Sequence, residues 1–297
     1  MNLENKKALG LIAALGTATI WATFLLATRF AITGDFTVEE VLVLRLLPSA
    51  IIMAPFMVQL GIVPRGQSWL RTLTLMIGAS AVFPYIVSSG LIHAPASDGG
   101  ALAPGMLPFW TALAMYFLTG EVPEKSRIRG LVLIMIGAMF VGLLDILLTT
   151  DDESWKGHVM FLAGSGLFAI YSVIFGQSNL TPMQGLVIGL FWGAVLIVPL
   201  LFLTGNVNFS SKQLDDIILM IIIQSLVIGI LAAVLFNYAV RLLGAAQTGA
   251  FGALTPILSL VGGIFLLNEK VTFITAFGVV LVASGVFLAS GIQHKSK

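Results

Sequence analysis

The composition of this 297-residue chain excludes a water-soluble globular protein. Apolar residues make up 58% of the sequence, charged residues make up 10%, and the mean hydropathy is +1.03, whereas soluble domains carry about 25% charged residues. The formal charge of +1 gives no basis for nucleic-acid binding, and the absence of cysteine excludes a disulfide framework or a thiolate metal site. We therefore expect an integral membrane protein surrounded by a lipid bilayer.

Ten apolar runs are each long enough, at roughly 20 residues, to cross a bilayer as a helix. In chain order these predicted spans one to ten are residues 8–32, 38–60, 70–92, 99–119, 128–148, 157–177, 183–204, 217–240, 248–267 and 273–291. Turn sequences such as Thr33-Gly34-Asp35 separate them. Because no connection is long enough for a soluble domain, we predict a single all-α membrane unit.

Positive charge is divided unevenly between the connections. If the N-terminus is cytoplasmic, ten Lys and Arg residues lie in cytoplasmic segments and three lie outside. The cytoplasmic set is Lys6, Lys7, Arg65, Arg71, Lys125, Arg127, Arg129, Arg241, Lys295 and Lys297, and the outer set is Lys156, Lys212 and Lys270. Cytoplasmic loops carry an excess of these residues, so both termini are predicted to be cytoplasmic.

The second half of the chain repeats the first. Marker residues recur 148 positions later, with Pro108, Glu121 and Gly137 returning as Pro256, Glu269 and Gly285. The repeat predicts two five-span halves, residues 1–150 and 151–297. Since five is odd, the halves enter the membrane in opposite orientations, and proteins built in this way are usually transporters with a site between the halves.

These features in this order resemble the EamA-type members of the drug/metabolite transporter superfamily. The resemblance rests on Trp21 in span one, Arg45 in span two, the segment 94–108 before span four, and the ending Leu-Leu-Asn-Glu at 266–269. The position of Trp21 corresponds to Phe168 in the second half. The resemblance implies a multi-pass transporter of the bacterial inner membrane that binds a small organic molecule.

Arg45 is the first candidate for a substrate contact. It is predicted to lie about 10 Å inside the membrane boundary, where an arginine costs roughly 2.5–3.5 kcal/mol on insertion scales. One interpretation is an anion site for a substrate carboxylate, and the other is a structural ion pair with Asp98 or Asp145, or a side chain that snorkels outward. Arg29, near the outer end of span one, is expected to snorkel.

Several further residues are predicted to line a central path along spans one, four and nine. Aromatic and polar side chains near mid-depth, together with a small, polar inner half of span nine, give the set Trp21, Tyr171, Trp192, Asn237, Gln247, Thr248, Gly249 and Gly252. Prolines within the spans remove helical hydrogen bonds and allow bending, so the predicted hinges are Pro104, Pro108 and Pro256. Close helix packing alone is the alternative interpretation of these small residues and prolines.

The acidic residues at the ends of the repeated spans are predicted to be structural anchors, with a role as proton carriers as the alternative. Glu121 and Glu269 close spans four and nine, at helix C-termini where the dipole disfavours an anion. We therefore expect basic partners, either Arg127 or Arg129 for Glu121, and Lys270 for Glu269.

A glycine stripe on span seven bears on oligomeric state. Gly185, Gly189 and Gly193 are spaced to bring helices together. In a ten-span protein the partner is more often another span of the same chain, so we predict a monomer or a weak homodimer.

Enzyme chemistry has little support in the sequence. The three histidines are interpreted as lying in connections or the tail, with no paired metal-ligand motif, so no metal, cofactor or catalytic residue is expected. We predict a secondary transporter that moves a small organic metabolite, an amino acid or a similar amphiphile, by alternating access. Export is the expected direction. The alternative is a non-transporting membrane scaffold or sensor on the same fold.

Overall fold

A computed structural model describes residues 3–60, 66–144, 153–243, 248 and 251–290. Over these residues the protein contains helices and connections without strands, as predicted. We label the helices α1 to α10, one for each predicted span. They are α1 Leu3–Thr33, α2 Val38–Leu60, α3 residues 69–93, α4 Ala96–Thr119, α5 residues 125–144, α6 Ser154–Gly176, α7 residues 182–203, α8 Leu214–Leu243, α9 Leu254–Leu267 and α10 Phe273–Ala289.

The helices have the length and composition of a multi-pass membrane protein. Within the described ranges, six are long and apolar enough to cross a bilayer, namely Glu4–Thr33, Val38–Leu60, Ala96–Thr119, Ser154–Gly176, Met183–Leu203 and Leu214–Leu243. Val82–His93, α9 and α10 are shorter apolar helices. Large apolar side chains such as Ile51, Val58 and Leu203 are exposed, which suits contact with lipid tails. The arrangement of ten crossings in two inverted halves stays a prediction.

Short π-helical stretches interrupt several of the helices. They are Ile77–Ala81 in α3, Phe140–Leu144 in α5, Ile188–Trp192 in α7 and Ile221–Leu231 in α8. π-Helical turns occur often at functional sites because they displace side chains from the regular helical register. Those in α3, α7 and α8 each supply residues to the deeper of two cavities described below.

Helix α4 is divided by a break that contains Pro104. Its two parts are Ala96–Leu102 and Leu107–Thr119. The Ser165 hydroxyl of α6 donates a 2.6 Å hydrogen bond to the carbonyl of Ala103, which satisfies a backbone group inside this break.

The expectation that all three hinge prolines interrupt helix interiors requires correction. Pro108 and Pro256 lie in the first turn of Leu107–Thr119 and of α9. Proline is tolerated in a first turn because the N–H that it lacks would have no intrahelical partner there. The role of the three prolines as hinges stays a prediction.

Helices α5 and α10 are in direct backbone contact through paired glycines. A methyl group added at Gly137 would lie 2.7 Å from the carbonyl oxygen of Gly278, and one added at Gly285 would lie 2.8 Å from that of Gly130. Gly130 near the start of α5 therefore faces Gly285 near the end of α10, and Gly137 faces Gly278 in the same way. The two helices run antiparallel. The glycine stripe of α7 also packs within the chain, with Gly185 against Phe175 of α6.

Candidate functional site

Two adjoining cavities lie inside the helix bundle. The larger has a volume of about 780 Å³ and is lined at one end by Glu121, Arg127, Gln177, Arg241 and Ser290, which belong to the end predicted to be cytoplasmic. The smaller has a volume of about 110 Å³. Residues that line both cavities are Trp21, Pro104, Leu107, Tyr171, Phe236 and Asn237. The two cavities therefore form one path that enters the bundle from the predicted cytoplasmic end.

An aromatic cluster occupies the boundary between the cavities. The ring of Trp21 lies 5.9 Å from that of Phe168, edge to face, and 5.3 Å from that of Phe236. Phe168 in turn lies 4.9 Å from Phe83 and 5.4 Å from Tyr171. Such walls provide apolar contact for a ligand, with few polar groups to fix its orientation.

Arg45 contributes the only described charged group of the smaller cavity. Its guanidinium lies 4.6 Å from the centre of the Phe24 ring, and its buried Nη1 has no hydrogen-bond partner. No described carboxylate forms an ion pair with it. Of its two predicted structural partners, Asp98 pairs elsewhere and Asp145 lies outside the described residues.

Asp98 and His158 form a buried pair that the sequence interpretation missed. His158 Nε2 lies 2.8 Å from Asp98 Oδ2, and the two side chains are 4% and 2% exposed. The sequence interpretation had assigned His158 to a connection, whereas it lies in the first turns of α6. The pair links α4 to α6, and therefore the first half of the chain to the second.

Further polar contacts join the two halves at the end opposite the mouth of the large cavity. Thr37 donates a 2.9 Å hydrogen bond to the carbonyl of Asn206, whose side chain donates to Glu39 at 3.1 Å. Glu40 accepts a hydrogen bond from the Asn208 N–H at 3.0 Å and lies 3.3 Å from Lys212. These groups belong to the α1–α2 and α7–α8 connections and to the start of α2.

Glu269 forms a second closing contact at this end, with partners different from the one predicted. Instead of Lys270, its carboxylate lies 3.6 Å from Arg29 Nε and accepts a 2.9 Å hydrogen bond from the Ala96 N–H. Arg29 also donates to the Leu91 carbonyl, so it does not simply snorkel. Burial raises the pKa of Glu269, and the Ala96 N–H and Arg29 limit the rise.

The pair predicted at the other repeated glutamate is also absent. Glu121 is exposed at the mouth of the large cavity and makes no ion pair with Arg127 or Arg129 among the described residues. Arg127 lines the same mouth, and its buried Nε has no hydrogen-bond partner.

The remaining predicted site residues are distributed unevenly. Thr248 and Gly252 line the large cavity. Trp192 of α7 instead packs against a cluster that includes Leu75 and Met76 of α3, and it lines neither cavity. Gln247 and Gly249 lie outside the described residues. Lining residues that the sequence interpretation did not select include Phe83, Phe236, Ser165, Arg127 and Arg241.

Three curated proteins similar to this chain are named as uncharacterized transporters. An uncharacterized transporter of Archaeoglobus fulgidus is 21% identical over 254 residues, which cover 84% of this chain and 86% of that protein. The uncharacterized transporters YyaM and YcxC of Bacillus subtilis are 25% and 22% identical, over 65% and 73% of this chain and 64% and 71% of their own lengths. A crystal structure matches 98% of this chain with a TM-score of 0.64 at 17% identity, covering 99% of the matched chain, which shows a shared fold.

The family comparison covers nearly the whole sequence. The EamA-like transporter family profile matches twice, over residues 8–143 and again over residues 155–291. The resemblance seen in the sequence is thereby confirmed, and this chain belongs to the EamA-like transporter family.

Proposed function

We propose that the protein is a secondary transporter that moves a small amphiphilic metabolite, an amino acid or a similar compound, by alternating access. The observation that carries the proposal is the contrast between the two ends of the bundle. One end holds a cavity of about 780 Å³, while the other is closed by polar contacts between the halves. A path open to one end and closed at the other is what one of the two alternating states requires.

Two observations support an inverted repeat of residues 1–150 and 151–297. The family profile matches once in each half. In addition, the glycine contacts between α5 and α10 exchange under the repeat, since Gly130 corresponds to Gly278 and Gly137 to Gly285. The contact of Gly130 with Gly285 therefore becomes that of Gly278 with Gly137. A contact that maps onto itself in this way is typical of two units related by a two-fold axis.

We propose further that the open end faces the cytoplasm and that net transport is outward. The open end carries Arg127 and Arg241, and the excess of Lys and Arg on this side matches the usual bias of cytoplasmic loops. In this state the substrate loads from inside, and opening outward requires the contacts of Glu40 and Glu269 to break. The bacterial inner membrane follows as the proposed location.

A disulfide across the closed end tests the mechanism. The chain contains no cysteine, so the double variant Thr37→Cys/Asn206→Cys introduces a single possible bridge between residues already in contact. In sealed proteoliposomes, uptake of radiolabelled phenylalanine or 3-phenylpropanoate is expected to stop when the bridge is oxidised and to return after reduction. Each single-cysteine variant is the control.

Two results would contradict the proposal in different ways. Full transport by the oxidised double variant would show that the closed end need not open. Failure of the wild-type protein to move any metabolite that it binds would favour a scaffold or sensor.

A further inference from the structure

The charges along the path are mostly positive. Arg241 and Arg127 line the mouth of the large cavity, and Arg45 lies at depth in the small one. Against these three guanidinium groups, the described lining of the two cavities includes one carboxylate, that of Glu121, which is exposed at the mouth. The path therefore attracts anions, and its depth offers a fixed positive charge.

Most acidic residues of the chain lie away from the path, although Glu121 lines its mouth and Glu124 lies close enough to Arg127 to interact with it electrostatically. Of the 14 Asp and Glu residues, most of the described ones lie at the closed end, and Asp98 there is paired with His158. Asp145, Asp151 and Asp152 lie outside the described residues. The segments 244–247 and 249–250, which flank the cavity-lining residue Thr248 in the sequence, contain no acidic residue.

This excess of positive charge favours amphiphiles that carry only a carboxylate over those that also carry an ammonium group. A carboxylate placed at Arg45 would form a charge-assisted and potentially bidentate hydrogen-bonded pair with a group that otherwise lacks a partner. The ammonium group of a zwitterionic amino acid would lose its hydration at the same depth, where the described lining offers no carboxylate to compensate, and an unpaired buried charge is costly. The same amphiphile without its amine escapes that cost.

Resting on the transport function proposed above, we infer that the substrate is a monocarboxylate with an aromatic or branched apolar body and no ammonium group. The small cavity, at about 110 Å³, is below the ~150 Å³ of an engineered cavity that holds benzene. It therefore accommodates the carboxylate and its nearest carbons beside Arg45. The apolar body lies against Trp21, Phe236 and Tyr171, which extend the site into the larger cavity.

Three ligands with the same phenyl-alkyl body test this inference. They are 3-phenylpropanoate, which lacks the amine, phenylalanine, which carries both groups, and phenethylamine, which lacks the carboxylate. Titration calorimetry on the full-length protein in detergent, near neutral pH, measures their dissociation constants. We expect 3-phenylpropanoate to bind at least about tenfold more tightly than phenylalanine, a difference of about 1.4 kcal/mol, and phenethylamine to bind most weakly.

Variants of Arg45 test whether this residue causes the preference for 3-phenylpropanoate over phenylalanine. Arg45→Gln should bring the affinities of 3-phenylpropanoate and phenylalanine close together, and Arg45→Lys should retain part of the difference because it keeps the charge but not the planar fork. Arg129→Gln is the matched control, since Arg129 is exposed on α5 and lines neither cavity. Melting temperatures of the same preparations ensure that folded proteins are compared.

The outcomes separate this inference from the proposed transport function. Equal or tighter binding of phenylalanine or phenethylamine would overturn the inference and assign the aromatic cluster to recognition of a cation. Absence of binding by 3-phenylpropanoate up to ~10 mM would also overturn it. Binding of 3-phenylpropanoate without flux into proteoliposomes would sustain the inference while contradicting transport.

Discussion

Ionisable side chains are buried in this protein in two different settings. Asp98 and His158 lie 2.8 Å apart within the bundle, so each supplies a polar partner to the other where water is excluded. Arg45 has a buried nitrogen without a hydrogen-bond partner and faces a cavity. Its contact with the Phe24 ring, at 4.6 Å, offsets only part of the cost of desolvation. Substitutions at the two places should therefore affect stability in opposite directions.

Replacing Arg45 should leave the fold intact. Because no described carboxylate is paired with it, Arg45→Ala removes a charge that costs roughly 2.5–3.5 kcal/mol inside a membrane and strands no acidic partner. We expect a melting temperature that is unchanged or raised, together with loss of ligand binding, measured on the same detergent preparation. A large fall in melting temperature with unaltered affinity would make Arg45 a structural residue.

Breaking the Asp98–His158 pair should destabilise the protein. Asp98→Leu removes the carboxylate that faces the buried imidazole, and His158→Leu removes the imidazole that faces the buried carboxylate, so each should cost on the order of 3–5 kcal/mol. The double variant removes both polar side chains and should recover much of that loss, giving a clear coupling free energy in a double-mutant cycle. Purely additive losses in the free energy of unfolding would show that the two side chains act independently.

At the level of the helices, the sequence predicts well where each helix lies along the chain. It predicts poorly which face of each helix points toward the cavities. Apolar runs of about 20 residues predict helices directly, and each predicted span overlaps one of α1 to α10. The π-helical stretches left no signal, because their residues are as apolar as their neighbours.

The same limit explains which site residues could be predicted. Depth in the membrane identified Arg45, Trp21 and Tyr171 as candidates. It could not separate Trp192, which faces a packed cluster, from Phe236, which faces the cavities. Lipid and core are both apolar, so a membrane helix shows no clear polar face that would reveal its orientation. The first-turn positions of Pro108 and Pro256 were missed because an uninterrupted apolar run does not mark where a helix begins.

The contact of α5 with α10 should tolerate no added side chain. A methyl group at Gly137 would lie 2.7 Å from the backbone of both Gly278 and Val282, and backbone cannot move away as a flexible side chain can. Gly137→Ala should therefore lower the free energy of unfolding by about 1–3 kcal/mol.

Gly176 at the end of α6 provides the control for this substitution. It has nothing within 4 Å of an added methyl group, so Gly176→Ala should be neutral or slightly stabilising. A melting temperature equally unaffected in both variants would mean that α5 and α10 can separate at little cost.

At the level of the whole molecule, the two ends of the bundle differ in kind. The closed end is a set of cross-half hydrogen bonds and ion pairs that includes Glu40–Lys212 and Arg29–Glu269. The open end is a wide, partly charged cavity. Polar contacts of this type can break when water enters and form again when it leaves, so this end is suited to reversible closure.

The proposed orientation predicts which positions a membrane-impermeant thiol reagent reaches in intact cells. Asp215→Cys, exposed near the start of α8, should be labelled from outside. Lys125→Cys, exposed at the start of α5, should be labelled only after permeabilisation. The cysteine-free parent chain is the background control, and the reverse pattern would invert the assignment of the open end.

The antiparallel glycine contact has a mechanical consequence. A methyl group added at any one of Gly130, Gly137, Gly278 and Gly285 would lie 2.6 to 2.8 Å from the carbonyl oxygen of the facing glycine, so the two contacts are equally close. Under the proposed exchange of the two halves, this contact is carried onto itself. The pair α5–α10 then serves as a fulcrum, a line of near-zero displacement about which the remaining helices tilt, and a pair of spin labels placed across it would record the same distance in every state of the cycle.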